Sequence, residues 1–196
     1  MPLITTLANA SARGYGGLLV TAGAANSYES IATVTVGSGG SKTITFSSIP
    51  STYKHLQVRY IVKDTYTTVG DWVSFGISGN GTNTWREHYL NGDGVSATAG
   101  TIALGLISYA APNSHSSLAN CFGVGIIDIL DYADTNKNKT FRVLNGLDCN
   151  TNNTLGRVTL QSLLKVDTTA INSLTFTGDS NFAQYSQFAL YGIKGS

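Results

Sequence analysis

The sequence predicts an all-β protein, an antiparallel β-sandwich that we expect to be a jelly roll with an extended N-terminal arm. Apolar and polar residues alternate with period two through many short runs, as in half-buried strands. Turn residues separate these runs about every 8–15 residues. Sustained helical periodicity with capping residues is absent, and so are the long crossovers that βαβ units need.

The composition favours a folded protein that lives in an assembly. The chain has 196 residues, which suits one domain, and 42% of them are hydrophobic. Only 12% are charged, so Ser, Thr and Asn must supply the polar surface. The net charge is +1 and basic residues do not cluster, so we expect no nucleic acid partner. A surface with few charges and a net charge near zero does little to prevent self-association, so this composition favours a protein that associates with others.

Residues 1–28 differ in composition from the rest and are predicted to be an arm used for docking or assembly. They are rich in Ala, Gly, Ser and Thr and carry few large side chains. Fully extended, they span on the order of 90 Å. Residues 29–196 are predicted to form the β-sandwich domain. The central arm segment is Ser11, Ala12, Arg13, Gly14, Tyr15 and Gly16.

The first two strands of the domain are predicted to form a hairpin. Residues 31–36 and 43–46 both alternate with period two, and the Gly-rich turn 37–40 separates them. Further strands are expected at residues 56–62, 72–77, 86–90, 102–109, 122–130, 141–147, 158–164, 174–177 and 187–193. The N-terminus lacks a signal-peptide pattern and no apolar run has membrane-spanning length, so we expect neither export by a signal peptide nor a membrane partner.

The cysteines, histidines and acidic residues predict no metal or cofactor. Cys121 and Cys149 both lie in apolar runs; they could pair if their strands are neighbours, but buried free thiols are the favoured interpretation. Residues 134–138 place oxygen ligands at alternate positions, yet the turn glycine and bidentate Glu of a calcium loop are missing. A tight hairpin turn explains this segment better. The three histidines form no spaced pair.

No arrangement of residues marks an active site. The chain has no Gly-x-Ser-x-Gly elbow, and residues 37–43 lack the Gly-Lys step of a phosphate loop. A glycosidase would need two carboxylates facing one cleft, and nothing marks a pair such as Asp71 and Glu87. We therefore expect no enzymatic activity and no cofactor.

Four aromatic residues form the candidate glycan-binding set. Tyr66, Trp72, Trp85 and Tyr89 fall in one region, near loops rich in Thr, Gly and Asn. Exposed aromatic rings beside neutral polar groups can stack on sugars. The favoured alternative places Trp72 and Trp85 in the sandwich core, since large aromatic residues usually anchor cores or interfaces.

Several segments of the chain resemble a module of virion proteins from tailed bacteriophages, notably aquatic ones. The resemblance covers most of residues 11–196, and the arm segment 11–16 is similar to N-terminal tags on phage structural proteins. The segments that carry it within the domain are residues 28–37, 44–56, 129–132 and 182–193.

The resemblance implies a non-enzymatic structural protein on the exterior of a virion. The expected form is a homotrimer that acts as a capsid decoration or cement protein, anchored by its arm to the major capsid protein or to a tail protein. The alternative is a tail or head fibre protein that binds a receptor or a host surface glycan.

Overall fold

The structure is a computed structural model, and it describes residues 27–65, 73–102, 106–111, 121–147 and 156–195. The arm predicted over residues 1–28 lies outside the described residues, apart from its last two. The described ranges form twelve strands: β1 (Tyr28–Thr35), β2 (Ser41–Phe46), β3 (His55–Val62), β4 (Val73–Gly79), β5 (Trp85–Gly92), β6 (Ala97–Ile102), β7 (Leu106–Ala111), β8 (Gly123–Leu130), β9 (Lys139–Leu147), β10 (Arg157–Lys165), β11 (Leu174–Phe182) and β12 (Gln187–Ile193).

The strands form two antiparallel sheets with the topology of a jelly roll, which confirms the predicted fold class. The large sheet has the order β1-β12-β3-β8-β9-β10-β5-β6, and the small sheet has the order β2-β11-β4-β7. The first four strands of the large sheet, with the small sheet, make the eight-stranded jelly roll. Two insertions, β5–β6 and β9–β10, extend the large sheet by four strands. The large sheet is therefore twice as wide as the small one.

The hydrophobic core lies between the two sheets, and it includes Phe141, Leu163 and Trp85 of the extension strands. Alternate residues of β3 and β8 face inward, among them Val58 and Ile127, which are completely buried. Aromatic rings fill the centre, where Phe188 stacks on Phe176 at 5.1 Å between ring centroids and meets Phe182 edge-on. Each such side chain stabilises the fold by about 1.5–3 kcal/mol through burial.

The predicted hairpin of the first two strands is wrong, because β1 and β2 belong to different sheets. β1 pairs with β12, and β2 pairs with β11. The turn between them uses left-handed backbone at Gly39 and Gly40, with φ of 94° and 73°. It carries the chain across the gap between the sheets. Period-two alternation identifies a strand, but it does not identify the partner of that strand.

The strand predicted over residues 102–109 is also corrected. The structure has two strands there: β6 ends at Ile102 and β7 begins at Leu106. The local pattern does not predict β6, since Ala97, Thr98, Ala99 and Gly100 are small and carry no apolar alternation. β6 forms because it pairs in register with β5 over its full length.

Loops at one end of the sandwich are held together by the carboxylate of Asp167. Its Oδ1 accepts a hydrogen bond from the backbone N–H of Thr169 at 2.7 Å. Its Oδ2 accepts from the Thr82 backbone N–H and hydroxyl, and from Nζ of Lys165 at 3.2 Å. The Thr169 N–H, with the other donors, holds the pKa of Asp167 well below its usual range. This carboxylate joins the β4–β5 loop to the segment that follows β10.

The prediction of two free thiols is wrong, because Cys121 is disulfide-bonded. The chain contains two cysteines, so the intrachain partner is Cys149, which lies outside the described residues. β8 begins two residues after Cys121, and β9 ends two residues before Cys149. Because β8 and β9 pair directly, the bond closes the open end of their hairpin.

Replacing both Cys121 and Cys149 by Ser should lower the free energy of unfolding by about 3–4 kcal/mol. The disulfide closes a loop of about 29 residues and so restricts the unfolded chain. Urea unfolding of the oxidised protein, the reduced protein and the double variant measures the effect. Equal midpoints for the oxidised protein and the variant would contradict the disulfide.

Asp167→Asn should lower the unfolding midpoint at pH 7, and this deficit should shrink as the pH falls below about 4. A carboxyl whose pKa is lowered by folding stabilises the protein above its unfolded-state pKa, which is about 3.9. That contribution is lost as the pH falls through the folded-state pKa. Thermal unfolding between pH 7 and pH 2.5 tests this, with the exposed Asp179→Asn as the matched control. A deficit independent of pH would contradict the role of the charge.

Candidate functional site

Part of the extension of the large sheet has inverted polarity, with apolar side chains outside and polar side chains inside. This part comprises residues 144–145 of β9, 158–161 of β10 and 90–91 of β5. In β10, Val158 and Leu160 point outward and are 59% and 46% exposed. The alternate residues Thr159 and Gln161 point inward and are buried. A strand with one solvent face normally has the opposite arrangement. The outward face of this extension therefore has the composition of a surface that another molecule covers.

The outward apolar residues line up across neighbouring strands into a continuous row, here called the outer band. Ile126 of β8 is opposite Leu144 of β9, which is opposite Leu160 of β10. Leu160 is opposite Leu90 of β5, and the row ends at Ala99 of β6. Leu90 and Leu144 are each 52% exposed. Ile61, Val124 and Val158 add exposed apolar surface beside this row.

A ladder of polar side chains runs beside the outer band on the same face. Arg142 donates two hydrogen bonds to Oδ2 of Asp128, at 3.1 and 2.5 Å. Gln57 donates to Oδ1 of Asp128 at 2.8 Å and accepts from Nε of Arg59 at 2.8 Å. The guanidinium of Arg59 in turn lies 5.3 Å from the ring centre of Tyr191. The ladder joins β9, β8, β3 and β12, and it holds both arginines in defined positions.

Two shallow grooves flank the outer band on this face. One has a volume of about 660 Å³ and is lined by residues that include Leu90, Leu160, Arg142 and His88. The other has a volume of about 630 Å³ and includes Ile126, Leu144 and Val158. Both combine aliphatic side chains with arginine. This combination suits a protein surface that brings apolar residues and a few polar groups.

The inward side of the same strands carries a buried polar row. Asn145 of β9 is opposite Thr159 of β10, which is opposite Asn91 of β5, and all three are buried. Tyr60 of β3 is hydrogen-bonded to Asn145, and burial raises the pKa of its hydroxyl. The phenol crosses Gly125 of β8, where a Cβ would stand 2.2 Å from the Tyr60 hydroxyl oxygen. Glycine is therefore required at position 125 for Tyr60 to reach Asn145.

Of the four candidate glycan-binding residues, the structure describes Trp85 and Tyr89. Trp85 is a core residue, 2% exposed, and its ring meets Phe141 edge-on at 5.2 Å. Tyr89 is half-buried, and its phenol covers Gly100 on the neighbouring strand. Tyr66 and Trp72 lie outside the described residues, as do the arm residues 11–16. The ring of Trp85 is therefore unavailable for stacking on a sugar.

The acidic segment after β8 is neutralised by lysine side chains. Residues 131–138 connect β8 to β9, and Asp131 forms ion pairs with Lys54 at 3.0 Å and with Lys137 at 3.2 Å. The buried ammonium of Lys139 donates to the backbone carbonyls of Asp134, Lys137 and Thr168. Desolvation lowers the pKa of Lys139. Among the described residues, no group of three His, Cys, Asp or Glu side chains could hold a metal ion.

Sequence reasoning missed the outer band, although one signal for it was present. Val158 and Leu160 alternate with Thr159 and Gln161, and this pattern shows two faces of different polarity. The pattern alone would assign the apolar face to the core. Only the register between β9, β10 and β5 reveals that the apolar face is the outward one.

No protein-family model, no curated protein and no solved structure matches this chain. Within the described ranges, no helix is long and apolar enough to cross a membrane.

Trp85→Ala should lower the free energy of unfolding by about 3–5 kcal/mol, as expected for a large aromatic residue removed from a core. Trp85→Phe should lower the free energy of unfolding by a smaller amount, because phenylalanine retains part of the contact with Phe141. Chemical denaturation of the three proteins measures the difference. An unchanged midpoint for Trp85→Ala would show that this ring does not support the fold.

Proposed function

We propose that this chain is a non-enzymatic structural protein of a tailed-phage virion. In this proposal it is a homotrimeric capsid decoration or cement protein on the exterior of the particle. Its partners are further copies of itself and the major capsid protein. The observation that carries the proposal is the exposed outer band on the large sheet. The phage assignment is supported by the resemblance of the chain segments to virion modules.

The outward face of the large sheet has the size of a stable protein interface. Eight strands at 4.8 Å spacing give a width of about 34 Å, and strands of about eight residues give a length of about 26 Å. The product, roughly 900 Å², is close to the roughly 800 Å² that each partner buries in a standard interface. The outer band would form the apolar centre of that interface.

The polar ladder beside the outer band fits the same interpretation. The carboxylate of Asp128 accepts hydrogen bonds from Arg142 and Gln57, so its charge is already compensated within the chain. Burying a compensated carboxylate under a partner costs less than burying a lone one. Arginines at the border of an apolar centre are typical of protein interfaces.

The outer band, rather than an aromatic cluster, is the surface on which we base the function. A tail or head fibre that binds glycans remains the alternative from sequence. The burial of Trp85 removes one of the aromatic rings on which this alternative depends. Of the other candidates, Tyr89 is half-buried, and Tyr66 and Trp72 lie outside the described residues.

The double variant Leu144→Lys/Leu160→Lys should dissociate the trimer, weakening association roughly a hundredfold or more. Each leucine contributes about 1.5–3 kcal/mol on burial, and two ammonium groups oppose the contact. Light scattering after gel filtration should give three times the 20.6 kDa chain mass for the wild type and the single chain mass for the variant.

The matched control is Tyr185→Lys, which places the same charge on a 70% exposed residue outside the outer face. It should remain trimeric and keep the thermal midpoint of the wild type. The double variant loses the stabilisation that association provides, but it should still unfold cooperatively as a folded monomer. A wild type that stays monomeric at tens of micromolar would contradict self-assembly. A virion reconstruction with this chain only at the tail tip would contradict the decoration role.

A further inference from the structure

The two edges of the large sheet are protected to different degrees. At β1, a bulge between Ser30 and Ala32 interrupts the register with β12, and Glu29 forms an ion pair with Lys194 at 2.9 Å. At β6, the six residues pair with β5 in unbroken register and include no charge and no proline. Sheets normally protect exposed edges with charges, prolines or bulges. β6 therefore presents an edge to which another strand can add.

Among the described residues, no strand pairs with the outer edge of β6. The side chains of Ala97, Thr98, Ala99 and Thr101 are exposed. Ala99 is also the last member of the outer band, directly opposite Leu90. A strand added beside β6 would pair with its backbone, and every second side chain would extend the outer band by one residue. The complementary strand should therefore be short, uncharged and apolar on at least one face.

The arm contains a segment with these properties. Leu18, Leu19, Val20 and Thr21 form an uncharged run with glycines before and after it, at positions 17 and 23. Arg13 is the single charged residue in residues 1–28. Val and Thr favour the extended conformation of a strand.

Residues 18–21 cannot reach the β6 edge of their own chain. The arm joins the domain at β1, which is the opposite edge of the same sheet, about 34 Å away. Six residues lie between Thr21 and Tyr28, and the seven extended residue steps from one to the other span at most about 25 Å. A neighbouring copy can supply the segment if its β1 edge lies next to this β6 edge. Such a contact joins unlike surfaces, and it forms a trimer when successive copies are related by a threefold rotation.

We propose that β6 of each copy binds residues 18–21 of a neighbouring copy as an added β-strand. This inference rests on the proposed self-assembly and specifies how the arm takes part in it. The large sheet then gains a ninth strand from the next subunit, and the outer band continues onto that strand. The arm becomes a link between subunits in addition to any contact that it makes with the capsid.

Disulfide cross-linking in the full chain tests the pairing. Ala99→Cys is combined in turn with Cys at positions 18 to 21, and two populations with different tags are mixed before oxidation. We expect cross-links between differently tagged chains, and covalent trimers, for alternate positions of the arm. The matched control puts the cysteine at Thr43, an exposed residue on β2 at the edge of the small sheet. It should give no cross-link to the arm.

Three results would overturn the pairing. They are cross-links within one chain only, no cross-link from any of the four arm positions, or efficient dimerisation of the Ala99→Cys single variant. The last result would show that β6 pairs with β6 of another copy. The native disulfide is retained throughout and identified by peptide mapping.

Two further variants separate this inference from the proposed function. Deletion of residues 2–22 and the substitution Ala99→Lys should each weaken the trimer at least tenfold, whereas Thr43→Lys should not. If the wild type is trimeric and both variants keep its affinity, the pairing is wrong and self-assembly through the outer face stands. If the wild type is monomeric, both proposals fail. An unchanged thermal midpoint for Ala99→Lys shows that the domain remains folded.

Discussion

The contact between Tyr60 and Asn145 sets the register on which the functional face depends. Tyr60 on β3 passes over Gly125 on β8 to reach Asn145 on β9, so it spans three neighbouring strands. A slip of one residue would turn every side chain of β9 to the opposite face. Asn145 would then point outward and Leu144 inward. The buried Asn145, with Phe141 and Val143 on the same face of β9, therefore goes together with Leu144 on the outer face, and β10 and β5 continue the same register.

The inverted polarity around the outer band has a stability cost. Leaving several aliphatic side chains in water forgoes the gain from their burial, and buried polar groups need hydrogen-bond partners to avoid a desolvation penalty. In the proposed assembly, the exposed aliphatic residues would supply binding free energy for the next chain, and this gain would offset the cost. In the same proposal, the β6 edge adds a directional contact through its backbone.

Much of the fold could be predicted because it depends on local patterns. The runs around Leu56, Phe141 and Gln187 alternate clearly and became β3, β9 and β12 close to their predicted limits. Pairing could not be predicted in this way, so the predicted hairpin of β1 with β2 and the predicted free thiols are both wrong. β6 was missed because its small side chains carry no alternation. The favoured core position of Trp85 is confirmed by its burial, since large aromatic residues usually anchor cores or interfaces.

Local sequence patterns predict that this protein is all-β, that its surface carries few charged side chains, and that residues 1–28 differ in composition from the domain that follows. Composition and period-two alternation are local properties, and they suffice for those conclusions. The tertiary structure decided which face of each strand meets the core, which strands end the sheets, and that Cys121 is bonded. These depend on register between segments far apart in the chain, such as residue 60 with residue 145. The residues of the outer band line up only because the strands pair in that register.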